Sequence, residues 1–353
     1  MPPRVLGRGP RWLSLLVLLL IVPLVAMAAL VAPASPEEDF EFDDRPRAEE
    51  VEYPSWFKKS LLDLRDDLKE AVQAGKQGLM VYFGQARCAY CHRLLGVNFG
   101  LEDIASYTRR HFDLIALDVR GPRELTLLDG ATMTEQEFAL AMDTNFTPSI
   151  LFYDREGREV LRLRGYYPPY QFRAALEYVA DGHYAKESFR DFLARGDNRR
   201  VFDAEDLNEE EFFAAPPFNL DRSRLPGERP LVVFFEQGDC HACDVLHGQL
   251  LQDPQIRRLV EDLDSVQLDM FADTPLVTPA GARTRARDWA ASLGLFYAPT
   301  LIFFDEHGHE VLRLDSLVRF YRLGQVLTFV SQGAYKQLSY PRWRALQAEE
   351  GPH

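Results

Sequence analysis

Leu79-Met80-Val81-Tyr82-Phe83 is followed, five residues on, by Cys88-Ala89-Tyr90-Cys91. A short, continuously apolar run rich in β-formers reads as a strand buried on both faces. A Cys-x-x-Cys directly after such a strand falls at the start of a helix. The same arrangement returns at Leu231-Val232-Val233-Phe234-Phe235 and Cys240-His241-Ala242-Cys243.

Working outward, other landmarks repeat in register. Glu159-Val160-Leu161-Arg162-Leu163 recurs as Glu310-Val311-Leu312-Arg313-Leu314. Pro148 maps to Pro299, Gly157 to Gly308 and Gly182 to Gly333, all at an offset of 151, and Cys88 maps to Cys240 at 152. So long a period marks a duplicated domain, not a solenoid. The length of 353 residues agrees with two domains at roughly 100–200 residues each.

Both copies have the same element order. After the Cys pair comes a helical stretch, then a strand at 114–117 or 266–268, then a helix at 134–143 or 283–293. Ile150-Leu151-Phe152-Tyr153 and Val160-Leu161-Arg162-Leu163 form a hairpin through Asp154-Arg155-Glu156-Gly157. Phe172, Ala175, Leu176 and Val179, echoed by Leu323, Val326, Leu327 and Val330, put one apolar stripe on a closing helix. Strand, helix, strand, helix, hairpin, helix implies an α/β fold, a mixed sheet covered by helices on both faces. An additional helix is expected at 55–74, with Leu61, Leu64 and Leu68 on one face. The domains are expected at 51–196 and 229–353. The polar stretch 197–228, broken by Pro216-Pro217 and Pro226-Gly227, is expected to link them.

The N-terminus differs from the rest. Arg4, Arg8 and Arg11 precede an uncharged run from Trp12 to Ala34. Residues 1–34 read as an export segment. The run is long enough for a spanning anchor helix, while Ala26-Met27-Ala28 and Ala32-Pro33-Ala34 offer signal-peptide cleavage sites; both readings stand. Either way the positive flank keeps the bulk of the chain outside the cytoplasm, in a periplasmic setting, tethered if residues 12–34 stay attached. Residues 35–50 are acidic and Pro-bearing, and read as a solvated tether. The net charge is -14, and removing the three N-terminal arginines leaves -17. No basic face is available for nucleic acid. Four cysteines are too few for a disulfide-stapled scaffold.

The spacing of each Cys pair carries chemistry. The first cysteine meets the free N–H groups of a helix start, which favours its thiolate. The thiolate attacks disulfides, and the second cysteine, one turn on, resolves the mixed disulfide. His241 beside Cys240 could stabilise that thiolate as imidazolium, while Asp239 and Asp244 act oppositely. The two sites are therefore expected to differ in reduction potential. Thr147-Pro148 and Ala298-Pro299 each open the strand after the second helix, with Pro148 57 residues past Cys91 and Pro299 56 past Cys243.

These residues resemble the thioredoxin superfamily, which sets a cis-proline loop against its Cys-x-x-Cys. The similarity covers nearly the whole chain after residue 50, as two tandem thioredoxin folds. It looks closest to secreted thioredoxin-like proteins of bacterial periplasms, including those tied to sulfur oxidation. The resemblance implies Cys88 and Cys240 as nucleophiles and Cys91 and Cys243 as resolving thiols. Thr147, Pro148, Ala298 and Pro299 would line the substrate groove. No cofactor is implied, since the thiols carry the two electrons. The expected function is disulfide exchange with the thiols and disulfides of exported proteins; reduction is the favoured direction and needs a membrane electron donor, and the same residues allow oxidation or isomerisation. The chain departs from thioredoxin's Trp-Cys-Gly-Pro-Cys, having Arg87 and Asp239 before the first cysteines. Thioredoxin's buried Asp is replaced by Tyr82 and Phe234, so proton handling falls to water or Glu236.

Other readings stand beside this one. Cys88-Ala89-Tyr90-Cys91-His92 matches the c-type haem attachment pattern, but Asp244 takes the histidine's place in the second copy. Cys240, His241, Cys243 and His247 form a cluster of metal-ligand types, though one helix does not easily aim all four at one centre. A structural disulfide gains little from so short a loop. A non-catalytic module for maturing an exported cytochrome or metalloenzyme is the alternative of a different class. Asp118 and Asp269 read as caps or turns, Tyr166-Tyr167-Pro168-Pro169-Tyr170 as a packing loop, and His111, His183, His307 and His309 as surface groups.

Overall fold

The computed structural model describes residues 42–196 and 207–349. The export segment expected at 1–34 lies outside the described residues. Among those described, no helix is long and apolar enough to cross a membrane.

The first domain runs α1 (Leu64–Gln73), β1 (Gly78–Gly84), α2 (Ala89–Arg93), α3 (Glu102–His111), β2 (Phe112–Asp118), β3 (Glu124–Thr126), β4 (Thr132–Thr134), α4 (Glu135–Ala141), β5 (Ser149–Asp154), β6 (Glu159–Arg164), α5 (Pro169–Ala180) and α6 (Phe189–Gly196). The second continues with β7 (Phe218–Asn219), β8 (Leu231–Glu236), α7 (His241–Val245), α8 (Pro254–Glu261), β9 (Asp264–Asp269), β10 (Pro275–Val277), β11 (Arg283–Arg285), α9 (Ala286–Ser292), β12 (Thr300–Phe304), β13 (Glu310–Leu314), α10 (Phe320–Ser331) and α11 (Tyr340–Glu349). Helices α2 and α7 each widen into a π-helical turn, Leu94–Asn98 and Leu246–Leu250.

The two main sheets have one topology, β2-β1-β5-β6 and β9-β8-β12-β13. β1 is parallel to β2 and antiparallel to β5, and β8 stands likewise between β9 and β12. Alternation sorts the side chains. Met80, Tyr82, Ile150 and Phe152 enter one core and Leu79, Val81, Phe83 and Leu151 the other. Val232, Phe234, Leu301 and Phe303 face one side of the second sheet, and Val233, Phe235 and Ile302 the opposite side. Both faces are covered, which is why these strands read as unbroken apolar runs. The β5–β6 turn closes as expected: Asp154 Oδ1 accepts from the backbone N–H of Glu156 and Arg158, and Gly157 adopts φ 80°.

Three expectations are corrected. The helix expected at 55–74 begins only at Leu64, because the Asp63 carboxylate caps it by accepting from the N–H groups of Arg65 and Asp66. Leu64 and Leu68 are buried, but Leu61 lies before the cap and is fully exposed. The stretch read as a solvated tether is anchored at two points, Phe42 meeting the Tyr90 ring edge-on at 4.9 Å and the Asp44 side chain being buried, while Asp43 and residues 45–50 are exposed. Of the expected linker, residues 197–206 lie outside the described residues, while 207–219 lie against the second domain. There Ala214 N–H donates to Ser265 O, Phe213 packs on Phe234, and β7 pairs with β10.

The two domains meet through equivalent residues, the signature of a pseudo-two-fold contact. Phe146 belongs to the core of the second domain, and Tyr297, its counterpart at offset 151, belongs to that of the first. Leu317 N–H donates to Tyr166 O at 3.1 Å. Arg164 lies 3.6 Å from Asp315. The expected packing loop is thus part of this seam: Tyr166 and Tyr167 are buried, although Tyr170 is exposed.

Candidate functional site

Strand β1 ends in a short loop that delivers Cys88 to the start of α2. Cys88 is the helix N-cap, and its Sγ accepts from Cys91 N–H at 2.9 Å. Cys240 caps α7 in the same way, its Sγ accepting from Cys243 N–H at 3.2 Å. In each pair the two sulfurs are bonded to one another. The second cysteines are the deeper ones: Cys91 and Cys243 are buried beneath the helix starts.

The proline loops meet these cysteines. Thr147–Pro148 and Ala298–Pro299 are cis peptide bonds. Thr147 Oγ1 donates to Cys88 Sγ at 3.3 Å, and Ala298 O lies 3.6 Å from Cys240 Sγ. A cysteine at a helix start, a second cysteine one turn on and a cis-proline loop against the first sulfur therefore converge twice.

A family described as the Thioredoxin-like domain matches residues 64–180 and again 219–331. The chain belongs to the thioredoxin-like family. Two Cys-x-x-Cys pairs on thioredoxin-like domains make it a thiol–disulfide oxidoreductase in general chemistry. No curated protein matches it. Among solved structures it is similar to a thioredoxin-fold protein from Helicobacter pylori, with 25% identity over 33% of this chain and 78% of that one, at TM-score 0.31. It is similar also to a thioredoxin from Thermus thermophilus, with 25% identity over 35% and 88%, at TM-score 0.28. A disulphide isomerase from Xylella fastidiosa shares 13% identity over 42% and 100%, at TM-score 0.24.

The two thioredoxin-like sites differ in what surrounds them. In the first, Ala89, Tyr90 and Thr147 are all buried. The second domain covers them. Arg322, near the start of α10, donates from Nη2 to Thr147 O at 2.8 Å, and its guanidinium lies 3.6 Å from the centroid of the Tyr90 ring. The Tyr90 hydroxyl accepts from Arg319 N–H at 2.8 Å and donates to Asp44 Oδ2 at 2.9 Å. Asp44 also accepts from the N–H groups of Tyr321 and Arg322, capping α10. In the second site His241 is exposed and Ala242 half-buried, so the middle of that motif reaches the surface.

The environments behind the cysteines differ too. Tyr82, at the position of thioredoxin's buried Asp, is fully buried, and Phe234 takes the same place in the second domain. Glu236, two residues on, is buried and bonded to His247 Nε2 at 2.9 Å and to Gln267 Nε2 at 3.0 Å. His247 Nδ1 faces Glu210 at 3.4 Å. Burial works to lower the His247 pKa, but the hydrogen bonds and charges of Glu236 and Glu210 outweigh it and raise it. The first domain has Gly84 and Leu95 at these places and carries no such pair.

The other candidate groupings are not assembled. His247 turns to Glu236 and Glu210, so it does not join Cys240, His241 and Cys243 around one centre. Among the described residues no group of three or more His, Cys, Asp or Glu side chains is placed to hold a metal ion. His92 Nε2 lies 3.2 Å from Glu49 O. Asp118 and Asp269 serve as turn acceptors, for Arg120 N–H and Phe271 N–H. Asp44 and Arg322 were missed from sequence; both look like ordinary surface charges until the domains are brought together.

Proposed function

We propose that this chain reduces disulfides of exported proteins outside the cytoplasm, protein partners docking at the Cys240–Cys243 site. One observation carries the reading: Cys240 caps its helix beside the Ala298–Pro299 loop while the adjoining His241 is open to solvent. A client disulfide laid along that loop meets the Cys240 thiolate. Its attack forms a mixed disulfide, and Cys243 then releases the reduced client. The oxidised pair must be re-reduced, and outside the cytoplasm that calls for an electron donor at the membrane. The arginine-flanked uncharged run from Trp12 to Ala34 supports export.

Insulin reduction with dithiothreitol as donor tests the activity, using Cys240→Ser, Cys88→Ser and the double variant. The expected result is loss of most turnover in Cys240→Ser. Turnover equal to wild type in all three would overturn the catalytic reading and leave the binding-module alternative.

A further inference from the structure

The closure of the first site leaves a cavity of about 250 Å³ between the two domains, bordered by Cys88, Tyr90 and Thr147 on one side and by α10 and α11 on the other. Five arginines line it: Arg87 and Arg120 from the first domain, Arg322, Arg342 and Arg344 from the second. Among the described residues the one acid on its wall is Asp44, whose carboxylate already accepts from Tyr90, Tyr321 and Arg322. Among the described residues none of the five arginines makes an ion pair. In a chain of net charge -14 this is a concentrated positive site. Arg322 is itself buried, and its Nη1 has no hydrogen-bond partner. That atom is closed to water and lies toward Gly165 in the seam, so the charge offered to the cavity is that of the exposed guanidiniums of Arg87, Arg120 and Arg342.

We propose that the Cys88–Cys91 site takes a small anionic disulfide, held in this cavity by its arginines with a sulfur presented to Cys88 Sγ. A polypeptide strand does not fit the same place, because Arg322 already occupies the Thr147 carbonyl and the remaining volume suits a ligand of small-molecule size. The inference rests on the thiol–disulfide chemistry proposed above and gives the first site a substrate class distinct from that of the second. The Cys88 thiolate attacks one sulfur of the bound disulfide R–S–S–R, forming Cys88–S–S–R and expelling RS⁻, which takes up a proton. Cys91, losing its proton, attacks Cys88 Sγ and expels the second RS⁻, which is protonated in turn. Cys88 and Cys91 end oxidised as one disulfide, and R–S–S–R ends reduced as two RSH. The membrane donor of the proposed function returns the two electrons.

The test uses three disulfides of similar length and different charge: bis(2-sulfoethyl) disulfide, bis(2-hydroxyethyl) disulfide and cystamine. The whole chain is reduced, freed of reductant and mixed with each. The redox state of both pairs is then followed in time by alkylation and peptide mass spectrometry. The Cys240–Cys243 pair in the same molecule is the internal reference for differences in leaving group. The expected result is that the Cys88–Cys91 pair favours the anionic disulfide over the neutral one by about tenfold or more relative to that reference, with cystamine slowest. Arg87→Gln with Arg342→Gln, both exposed side chains, should remove most of that preference and leave the Cys240–Cys243 rates unchanged. The same charge ranking at both pairs, or a preference that survives the two substitutions, overturns the proposal while leaving thiol exchange intact. If no disulfide oxidises either pair, the thiol-exchange reading falls and this proposal falls with it.

Discussion

The Tyr90 hydroxyl donates to the Asp44 carboxylate at 2.9 Å, which ties the middle of the first Cys-x-x-Cys to the segment before the domain and, through it, to α10 of the second domain. Asp44 satisfies two helix-start N–H groups and one buried hydroxyl at once. Asp44→Ala removes all three hydrogen bonds and leaves the Tyr90 hydroxyl short of a partner. The expected loss is about 1–3 kcal/mol in urea unfolding, the range of a lost N-cap plus a stranded buried polar group. An Asp44→Ala protein as stable as wild type would show that the contact does not hold the domains.

Cys88 and Cys240 are both buried, but the residues beside them sit under different cover. Ala89 and Tyr90 are buried beneath α10, whereas His241 is exposed. In the reduced protein, iodoacetamide should therefore modify Cys240 faster than Cys88, by about tenfold, since reactivity follows access as well as thiolate content. Asp44→Ala should narrow the gap by raising the Cys88 rate alone. Timed alkylation read by peptide mass spectrometry gives both rates in one sample, and equal rates in wild type would contradict the cover.

Much of this was legible in the sequence, for identifiable reasons. Leu79–Phe83 and Leu231–Phe235 are central strands with both faces buried, so their apolar runs were unmistakable, and the 151-residue offset doubled every landmark. Thr147–Pro148 and Ala298–Pro299 lie against the first cysteine of each pair, because the fold brings loop and cysteine to the same end of each sheet. The three-residue hairpins β3–β4 and β10–β11 escaped notice, since such short strands show no period. Asp44 and Arg322 could not have been read. Their pairing spans 278 residues and depends on how two copies dock, and an acid in an acidic, Pro-bearing stretch looks solvated.

The seam between the domains has one position without room. A Cβ on Gly165 would lie 1.9 Å from Ser316 Oγ, and Gly165 has φ +96°, where other residues are strained. Gly165→Ala should thus destabilise the whole chain by about 1–3 kcal/mol in denaturant unfolding. Ser316→Gly should recover part of that loss in the double variant, the part due to crowding, and none of the part due to the backbone. No recovery at all would mean that crowding across the seam contributes nothing.

Glu236 and His247 give the second domain a pH dependence that the first does not share. The His247 pKa is raised above its ordinary 6.5, because Glu236 and Glu210 outweigh the effect of burial. A raised folded-state value means that the protonated form is bound more tightly in the folded protein than in the unfolded chain. Its contribution is therefore fully present below pH 6.5 and is lost as pH rises through the folded value. Stability of the second domain should fall on going from pH 6 to pH 9, with a slope from this group of at most about 1.4 kcal/mol per pH unit, the limit for one proton. Glu236→Gln removes the nearer charge and should flatten that fall, even though it costs stability at pH 6. Urea unfolding of both proteins across the range, followed by the fluorescence of Trp289 and Trp343 in the second domain, measures the difference. Parallel curves for wild type and Glu236→Gln would show that this pair does not set the slope.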